Sequence, residues 1–261
     1  MSTSSEPPGA LASRGLRLAC RRREGRGPTL IFLPGYMSDM NGSKAAALDA
    51  WAAAQGRAML RFDYAGCGAS EGAFEEQSLA GWRDDALAAI DSLDGRVILV
   101  GSSMGGWLML LAALARPERV AALVGIAAAP DFTDWGFDAE QKRIILEDDR
   151  IEEASPYGEA PYVTTRLFWE SGERLKLIGD RIAIRCPIRL LHGLADEDVP
   201  WQISLELLDG IESGDARLTL VKGGDHRLSG PGEIELLLET VEALVLEGER
   251  SSGVQARDLK P

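Results

Sequence analysis

The sequence predicts an α/β fold in which helices cover both faces of a doubly wound, mostly parallel sheet. Two observations carry this prediction. Apolar runs of strand length alternate along the chain with longer segments of helical character. Glycines and polar residues follow several of these runs, and the carboxyl ends of parallel strands meet at one edge of a sheet, where such folds bind ligands. The 261 residues are enough to bury a full core, in one large α/β domain or two small ones.

The individual elements follow from the hydrophobic pattern and from the residues that end strands and helices. The predicted strands span residues 16–22, 29–33, 58–62, 97–100, 120–126, 188–191 and 217–221. The predicted helices span residues 44–55, 78–93, 107–115, 202–208 and 233–246. The alternation breaks between residues 131 and 185, where acidic and aromatic residues mix. We also expect residues 1–14 to be a disordered tail and residues 251–261 to be a frayed end.

A serine lies in the sharpest of the predicted turns. Ser103 is the centre of a G-x-S-x-G motif, between a buried strand and an apolar helix. Strand, turn and helix in this order are the context in which the motif forms a nucleophile elbow. Gly101 and Gly105 allow the helix to return close to the strand, which leaves the serine exposed and directs the backbone N–H of Met104 at an oxyanion. We therefore predict a nucleophile at Ser103, rather than a plain glycine-rich turn.

A serine hydroxyl needs a base to accept its proton, and a histidine is suited to this near neutral pH. His226 lies in a flexible loop after the last predicted strand, whereas His192 ends an apolar strand, where a hydrogen-bonded structural role is expected. We predict His226 as the base. The base needs a carboxylate to fix its tautomer. Asp196 is the first acidic residue after the strand that ends near His192, with Asp198 as a rival.

A second oxyanion donor is expected from the loop after the strand 29–33. This loop begins with Pro34 and Gly35. The backbone N–H of Tyr36 is the predicted donor, with Met37 as the neighbouring candidate. An ordinary Pro-Gly turn is the alternative interpretation.

Composition excludes several classes of function. The formal net charge of −13 disfavours a nucleic-acid partner, because phosphate binding needs a basic face. No apolar run approaches the roughly 18 residues that a membrane span needs. Three scattered cysteines and two histidines form no cluster with metal-ligand spacing, so we expect no metal and no cofactor. The odd cysteine count also favours a reducing compartment, and we expect a cytoplasmic protein.

With these residues in place, the chain resembles the α/β-hydrolases over nearly its whole length. The stretches that carry the resemblance are PGYMSDMNGSKA, RFDYAGCGASEG, VGSSMGGWLMLLAALARPERV, CPIRLLHGLADEDVPW and the DHR at residues 225–227. Through these stretches the chain resembles the branch of the family that contains the mitochondrial palmitoyl-protein thioesterase and mycophenolic acid acyl-glucuronide esterase. Since members of that branch carry a targeting segment that the N-terminus here matches poorly, we expect a bacterial relative, while the resemblance leaves a mitochondrial location open.

The resemblance also implies roles and boundaries. It implies Ser103 as nucleophile, Asp196 as acid and His226 as base, in the chain order seen in α/β-hydrolases. It further implies that residues 131–185 are a cap inserted after strand six. Residues 15–130 and 186–250 would then form the hydrolase core.

We expect a serine hydrolase that cleaves carboxylic esters or thioesters through an acyl-enzyme. Its substrate would be a small-molecule ester or thioester, or an S-acylated protein. Met37, Trp135, Phe168 and Trp169 are candidate residues for lining an acyl groove, although aromatic residues of a cap also pack it onto the sheet. The alternatives are an aminopeptidase-like or C–C-bond hydrolase and a non-catalytic binding protein on the same fold. The sequence carries no signal for an oligomeric state.

Overall fold

A computed structural model describes residues 9–154 and 161–258 of the chain. The strands are, in chain order, β1 (Gly9–Ser13), β2 (Leu16–Arg23), β3 (Arg26–Leu33), β4 (Arg57–Phe62), β5 (Val97–Ser102), β6 (Val120–Ile126), β7 (Arg150–Glu153), β8 (Tyr162–Thr165), β9 (Ile188–Gly193) and β10 (Ala216–Val221). The helices are α1 (Ser43–Ala54), α2 (Leu79–Asp91), α3 (Met104–Ala115), α4 (Phe132–Trp135), α5 (Ala139–Asp148), α6 (Arg166–Glu173), α7 (Gln202–Gly210) and α8 (Pro231–Asp258). Among these helices, none combines the length and the hydrophobicity that crossing a bilayer requires.

Eight of the strands form one sheet in the order β1-β2-β4-β3-β5-β6-β9-β10. The pairs β1–β2 and β2–β4 are antiparallel, and the pairs from β4 to β10 are parallel. The predicted doubly wound, mostly parallel sheet is therefore confirmed. The chain runs from β3 out to β4 and then returns to β5 on the other side of β3. The carboxyl ends of β3 and β5 are consequently neighbours, with Leu33 paired to Gly101.

Side chains of the central strand alternate between two apolar layers. In β5, Val97 and Leu99 belong to the cluster that includes α2 and α3, whereas Ile98 and Val100 belong to the cluster with α1 and α8. Both layers exclude water from large side chains, such as the fully buried Trp107 of α3. Each fully buried Val, Leu or Ile side chain of these layers contributes about 1.5–3 kcal/mol to stability when it is removed from water. The strand ends that carry the site are therefore held by a rigid core.

The segment between β6 and β9, which we call the cap (residues 131–185), carries α4, α5, the β7–β8 hairpin and α6. Its two ends are joined at Asp131, which has a left-handed backbone (φ 58°) and a buried carboxylate. That carboxylate accepts hydrogen bonds from the backbone N–H groups of Leu177 (2.9 Å) and Ile178 (2.7 Å). Burial, opposed by these two hydrogen bonds, raises the pKa of Asp131.

The disordered tail predicted for residues 1–14 is wrong from residue 9 onward; residues 1–8 lie outside the described residues. Residues 9–13 form β1, which pairs with β2 in a tight hairpin. The hairpin is fixed to α2 because the Ser13 hydroxyl donates to the buried Asp85 carboxylate at 2.6 Å and Arg14 pairs with the same group at 3.1 Å. Short-range composition does not reveal this contact, since its partners lie more than seventy positions apart.

The predicted end of the last helix is also wrong. The prediction placed the helix at residues 233–246, with residues 251–261 frayed, but α8 continues to Asp258, and residues 259–261 lie outside the described residues. Glu247 pairs with Arg189 at 2.9 Å and Glu249 pairs with Arg57 at 2.6 Å. These ion pairs with two nearly buried arginines extend the attachment of the helix beyond its apolar face.

Candidate active site

Ser103 occupies a strained turn between β5 and α3. Its backbone has φ 54° and ψ −122°, a conformation that costs on the order of 1–3 kcal/mol for a residue with a side chain. The surrounding backbone holds it there. The N–H of Ser103 donates to the carbonyl of Ile126 at 2.9 Å, and its carbonyl accepts from Gly106 at 2.8 Å and Ala129 at 3.1 Å. The strain therefore persists because three backbone hydrogen bonds, to α3, to the end of β6 and to the loop that follows it, hold the residue in place.

The two glycines of the motif are required by close backbone contacts. A Cβ atom on Gly101 would lie 2.3 Å from the carbonyl oxygen of Gly105. A Cβ atom on Gly105 would lie 2.0 Å from the carbonyl oxygen of Leu33. Both distances are far inside van der Waals contact, so α3 approaches β5 and β3 this closely only with glycine at these positions.

Three side chains that the sequence singled out form one continuous hydrogen-bonded chain. The Oγ atom of Ser103 lies 3.1 Å from Nε2 of His226. On the other side of the ring, Nδ1 of His226 lies 2.9 Å from Oδ2 of Asp196. A carboxylate accepts only, so Nδ1 carries the proton, and Nε2 is free to accept from the serine hydroxyl. An arrangement of this kind can act as a nucleophile, a base and an orienting acid.

The carboxylate of Asp196 is completely buried. Its Oδ1 atom accepts backbone hydrogen bonds from Asp198 at 2.9 Å and from Val199 at 2.8 Å. Burial alone would raise its pKa, but hydrogen bonds from His192 and His226 outweigh burial and hold the pKa of Asp196 well below its usual range. The group is therefore an anion at neutral pH, and its Oδ2 atom accepts the hydrogen bond from Nδ1 of His226.

The loop that carries His226 is held on both sides. The Oδ1 atom of Asp225 accepts from the backbone N–H groups of Arg227 and Leu228, each at 3.0 Å. From α1, the Nζ atom of Lys44 donates to the carbonyl of Arg227. Burial, followed by the charge of Arg227, lowers the pKa of Lys44 to about 8. No sequence signal pointed to Lys44, because its partner is a backbone atom 183 positions away.

Distance alone also allows a cation to be considered at this site. Asp196, Asp198 and His226 each offer one ligand atom, and these atoms lie within 4.8 Å of one another. However, Asp196 and His226 bond to each other, and His226 bonds to Ser103. The contacts therefore favour a proton-transfer chain over a metal centre.

The predicted oxyanion donors lie on the two segments that flank Ser103. Met104 is the first residue of α3, so no carbonyl of that helix can accept its N–H. The loop after β3 passes close to the serine, since a Cβ atom on Gly35 would lie 3.3 Å from the Cβ of Ser103. Tyr36 and the neighbouring candidate Met37 follow in this loop and line the same cavity as Ser103.

The side chain of Tyr36 connects this loop to the cap. Its hydroxyl donates to the carbonyl of Val163 in β8 at 2.5 Å, and burial raises its pKa. Its ring contacts aromatic side chains from both parts of the molecule: Phe74, Trp82, Phe132, Tyr162 and Phe168. The segment that would bind an oxyanion is thus packed between core and cap.

A cavity of about 600 Å³ opens beside Ser103, between the strand ends and the cap. Of the predicted lining residues, Met37 and Trp135 lie on its wall. The prediction for Phe168 and Trp169 is wrong. Phe168 is 1% exposed and packs against Trp82, while the indole N–H of Trp169 donates to the carbonyl of Thr133 at 2.8 Å. Phe168 thus packs α6 onto α2 of the core, while Trp169 joins α6 to α4 within the cap.

Two further aromatic residues, Phe132 and Phe137, line the cavity. Phe132 was missed although a signal exists. It follows the carboxyl end of β6 by six residues, at the same sheet edge that placed the other candidates. Phe137 has the same aromatic signal as Trp135, but the hydrophobic pattern alone does not separate residues of the cavity wall from residues of the core.

The chain is similar in sequence and in structure to known proteins. Residues 30–233 match the model of the Alpha/beta hydrolase family. The human protein "Palmitoyl-protein thioesterase ABHD10, mitochondrial" is 43% identical over 233 residues, which cover 87% of this chain and 76% of the human protein. The structure of mouse alpha/beta hydrolase domain-containing protein 10 matches with a TM-score of 0.87 and 40% identity, over 93% of this chain and 99% of the mouse chain. A putative hydrolase from Agrobacterium vitis S4 matches with a TM-score of 0.85 and 36% identity, over 91% and 97% of the two chains.

Proposed function

This chain belongs to the α/β hydrolase family, and from that premise we propose that it is a serine hydrolase of carboxylic esters or thioesters. The observation that carries the proposal is the hydrogen-bonded chain from Ser103 through His226 to Asp196. Activation of the serine hydroxyl explains why Ser103, at a strand-to-helix turn, bonds to one nitrogen of His226 while the other nitrogen bonds to a buried carboxylate. The match to relatives named as thioesterases supports the same reaction class.

In the proposed reaction, Ser103 attacks the carbonyl carbon of the acyl group while His226 Nε2 takes the hydroxyl proton. Asp196 stabilises the imidazolium that results. The negative charge that develops on the carbonyl oxygen is accepted by the backbone N–H groups of Met104 and Tyr36. His226 then protonates the leaving alcohol or thiol, and the same histidine activates a water molecule that hydrolyses the acyl-enzyme.

The walls of the cavity support an extended apolar acyl group as the substrate moiety. Phe132, Trp135 and Phe137 supply aromatic surface from the cap, and Met37 adds an apolar side chain from the loop after β3. A volume of about 600 Å³ lies within the range of drug-sized ligand sites. We propose acyl thioesters, including S-acylated cysteine, and carboxylic esters as the substrate class.

The proposal is tested by a hydrolysis profile with Ser103→Ala and wild type. The substrates are p-nitrophenyl esters from acetate to palmitate, palmitoyl-CoA, an S-palmitoyl peptide and matched p-nitroanilides. We expect turnover of esters or thioesters, no labelling of Ser103→Ala by a fluorophosphonate, and at least a roughly 10³-fold loss of kcat in this variant. Ser92→Ala, the same change at the end of α2, serves as the control.

Each other outcome separates the alternatives. Turnover of the anilides without esters would favour the aminopeptidase-like hydrolase. Absence of labelling and turnover in the wild type would favour the non-catalytic binding protein. Activity confined to short esters would retain the triad and remove the long-chain thioester assignment.

The cytoplasmic location stays a prediction. The human relative is named as a mitochondrial protein, which supports the alternative location for this chain. Fractionation of cells that express the protein would distinguish the two.

A further inference from the structure

The second histidine of the chain lies directly behind the candidate acid. His192 is at the end of β9 and is completely buried. Its Nε2 atom lies 3.1 Å from Oδ2 of Asp196 and 3.0 Å from the carbonyl oxygen of Val199. Its Nδ1 atom lies 2.7 Å from the hydroxyl of Ser204 in α7. Both ring nitrogens therefore have partners, although the proposed reaction uses neither.

These partners determine which nitrogen carries the proton. The two groups at Nε2, a carbonyl and a carboxylate, can only accept, so Nε2 is an N–H donor shared between Val199 and Asp196. The Ser204 hydroxyl can donate to Nδ1, which leaves that nitrogen as an acceptor. A neutral ring in this tautomer satisfies every polar atom of His192 without water, as a fully buried polar group requires.

The two oxygen atoms of the Asp196 carboxylate are held by different groups. Oδ1 is fixed by two backbone N–H groups, from Asp198 and Val199. Oδ2 is shared by the N–H of His192 and the N–H of His226, at 3.1 and 2.9 Å. Without His192, the orientation of Oδ2 would depend on His226 alone, the residue whose charge changes during the reaction.

Resting on the proposed function, we propose that His192 is a positioning residue: its Nε2–H fixes the plane of the Asp196 carboxylate so that Oδ2 faces Nδ1 of His226. His192 is not among the residues that line the cavity. Its loss should therefore act on kcat and leave substrate binding unchanged.

The test compares His192→Phe, which keeps the ring volume and removes the donor, with His192→Gln, whose side-chain amide reaches the position of Nε2. On a p-nitrophenyl ester we expect the phenylalanine variant to lose about 10-fold to 100-fold in kcat, with KM within about twofold of wild type. The glutamine variant should recover to within about threefold of wild type. A merely structural histidine would not give this kcat-only loss with recovery by an amide.

A second readout does not depend on turnover. The chain contains two histidines, so the imidazole signals in an NMR spectrum are readily assigned. We expect a low-field proton signal for the Nδ1–H of His226 in wild type and in His192→Gln, and its loss or broadening in His192→Phe. Ser204→Ala, which frees the ring at Nδ1, should weaken the same signal and lower kcat by about threefold.

The outcomes are distinct. Unchanged kcat and an unchanged His226 signal in folded His192→Phe would overturn the proposal, as would a glutamine variant as impaired as the phenylalanine variant. If His192→Phe does not fold, the Gln and Ser204→Ala variants decide. If wild type hydrolyses no ester or thioester, the proposed function fails, while the NMR comparison still decides whether His192 orients Asp196.

Discussion

The core and the cap meet at the same cavity, but they are held there by different kinds of interaction. In the core, backbone contacts position the elbow: Gly101 and Gly105 leave no room for even one carbon atom beneath Ser103. In the cap, side chains do this: the carboxylate of Asp131 joins its two ends, and the hydroxyl of Tyr36 bonds it to the core. The comparison teaches that Ser103 is placed by rigid backbone geometry, whereas the wall proposed to meet an acyl chain depends on contacts that single substitutions can change.

The largest effect is expected from Gly105→Ala in the core. The new Cβ would lie 2.0 Å from the carbonyl oxygen of Leu33 and 2.6 Å from that of Pro34, so α3 and the loop after β3 must separate. We expect the free energy of unfolding to fall by about 3 kcal/mol. Because this movement displaces Tyr36 from Ser103, kcat should fall by about 100-fold or more. Urea denaturation and hydrolysis of p-nitrophenyl acetate measure the two effects.

Gly248→Ala is the matched control for this substitution. Gly248 lies in α8, and apart from its chain neighbours and the backbone of its own helix no atom of the described residues lies within 4 Å of the position that a Cβ would take. Alanine there should raise the free energy of unfolding by about 0.5–1 kcal/mol and leave kcat unchanged. If both variants behaved alike, backbone crowding would not be what positions the elbow.

An intermediate effect is expected from Asp131→Asn in the cap. The amide retains one acceptor oxygen and turns an NH₂ group toward the backbone N–H groups of Leu177 and Ile178. Asparagine tolerates the left-handed backbone at this position, so the change isolates the carboxylate. We expect a cost of about 1–3 kcal/mol, expressed as faster hydrogen exchange of the two amides. KM for a long-chain ester should rise several-fold, while kcat on p-nitrophenyl acetate changes by less than about twofold.

Asp134→Asn provides the same chemical change on the surface of α4. Asp134 is half exposed and pairs with Lys142 and Lys176, an arrangement that contributes about 0–1 kcal/mol. Exchange at Leu177 and Ile178 should stay at the wild-type rate. If hydrogen exchange at these two amides rose equally in both variants, the buried Asp131 carboxylate would not be what joins the two ends of the cap.

The same contrast explains what the sequence could predict. The core strands and the proximity of Ser103, His226 and Asp196 were predictable because each signal is local: an apolar run, a sharp turn and a polar residue just after it. Even the start of α3 was predicted three residues late, since the two glycines after Met104 argue against helix and tertiary contacts override that preference. His192 was correctly expected to be hydrogen-bonded at a strand end. Its contact with Asp196 was not predicted, because it depends on how the intervening turn folds back.

The cap could not be predicted to the same depth. Its elements are short, and β7 pairs with β8 inside the segment in which the strand–helix alternation of the sequence breaks. Whether Phe168 faces the cavity or the core depends on how α6 sits on α2, which is decided by contacts with residues some ninety positions earlier, such as the bond from Ala80 N–H to the Ser171 hydroxyl at 3.0 Å. An aromatic residue has the same local signature in either place.

The smallest effect is expected from Tyr36→Phe, at the point where core and cap touch. The substitution removes the hydrogen bond to the Val163 carbonyl, made at 2.5 Å, and keeps the ring and the backbone N–H proposed as an oxyanion donor. We expect a loss of about 1 kcal/mol in the free energy of unfolding, a two- to threefold rise in KM for a long-chain ester and little change in kcat on p-nitrophenyl acetate.

Tyr64→Phe is the control from the core side, since the Tyr64 hydroxyl lies 3.4 Å from the Pro34 carbonyl, too long for a strong bond to the same loop. Thermal denaturation and the ratio of KM values for the two esters report the difference. If Tyr64→Phe had the larger effect, the loop would be held by the core, and the cap would act only as a wall. If Tyr36→Phe also lowered kcat on the short ester by tenfold or more, the cap would have a direct part in aligning the oxyanion donor.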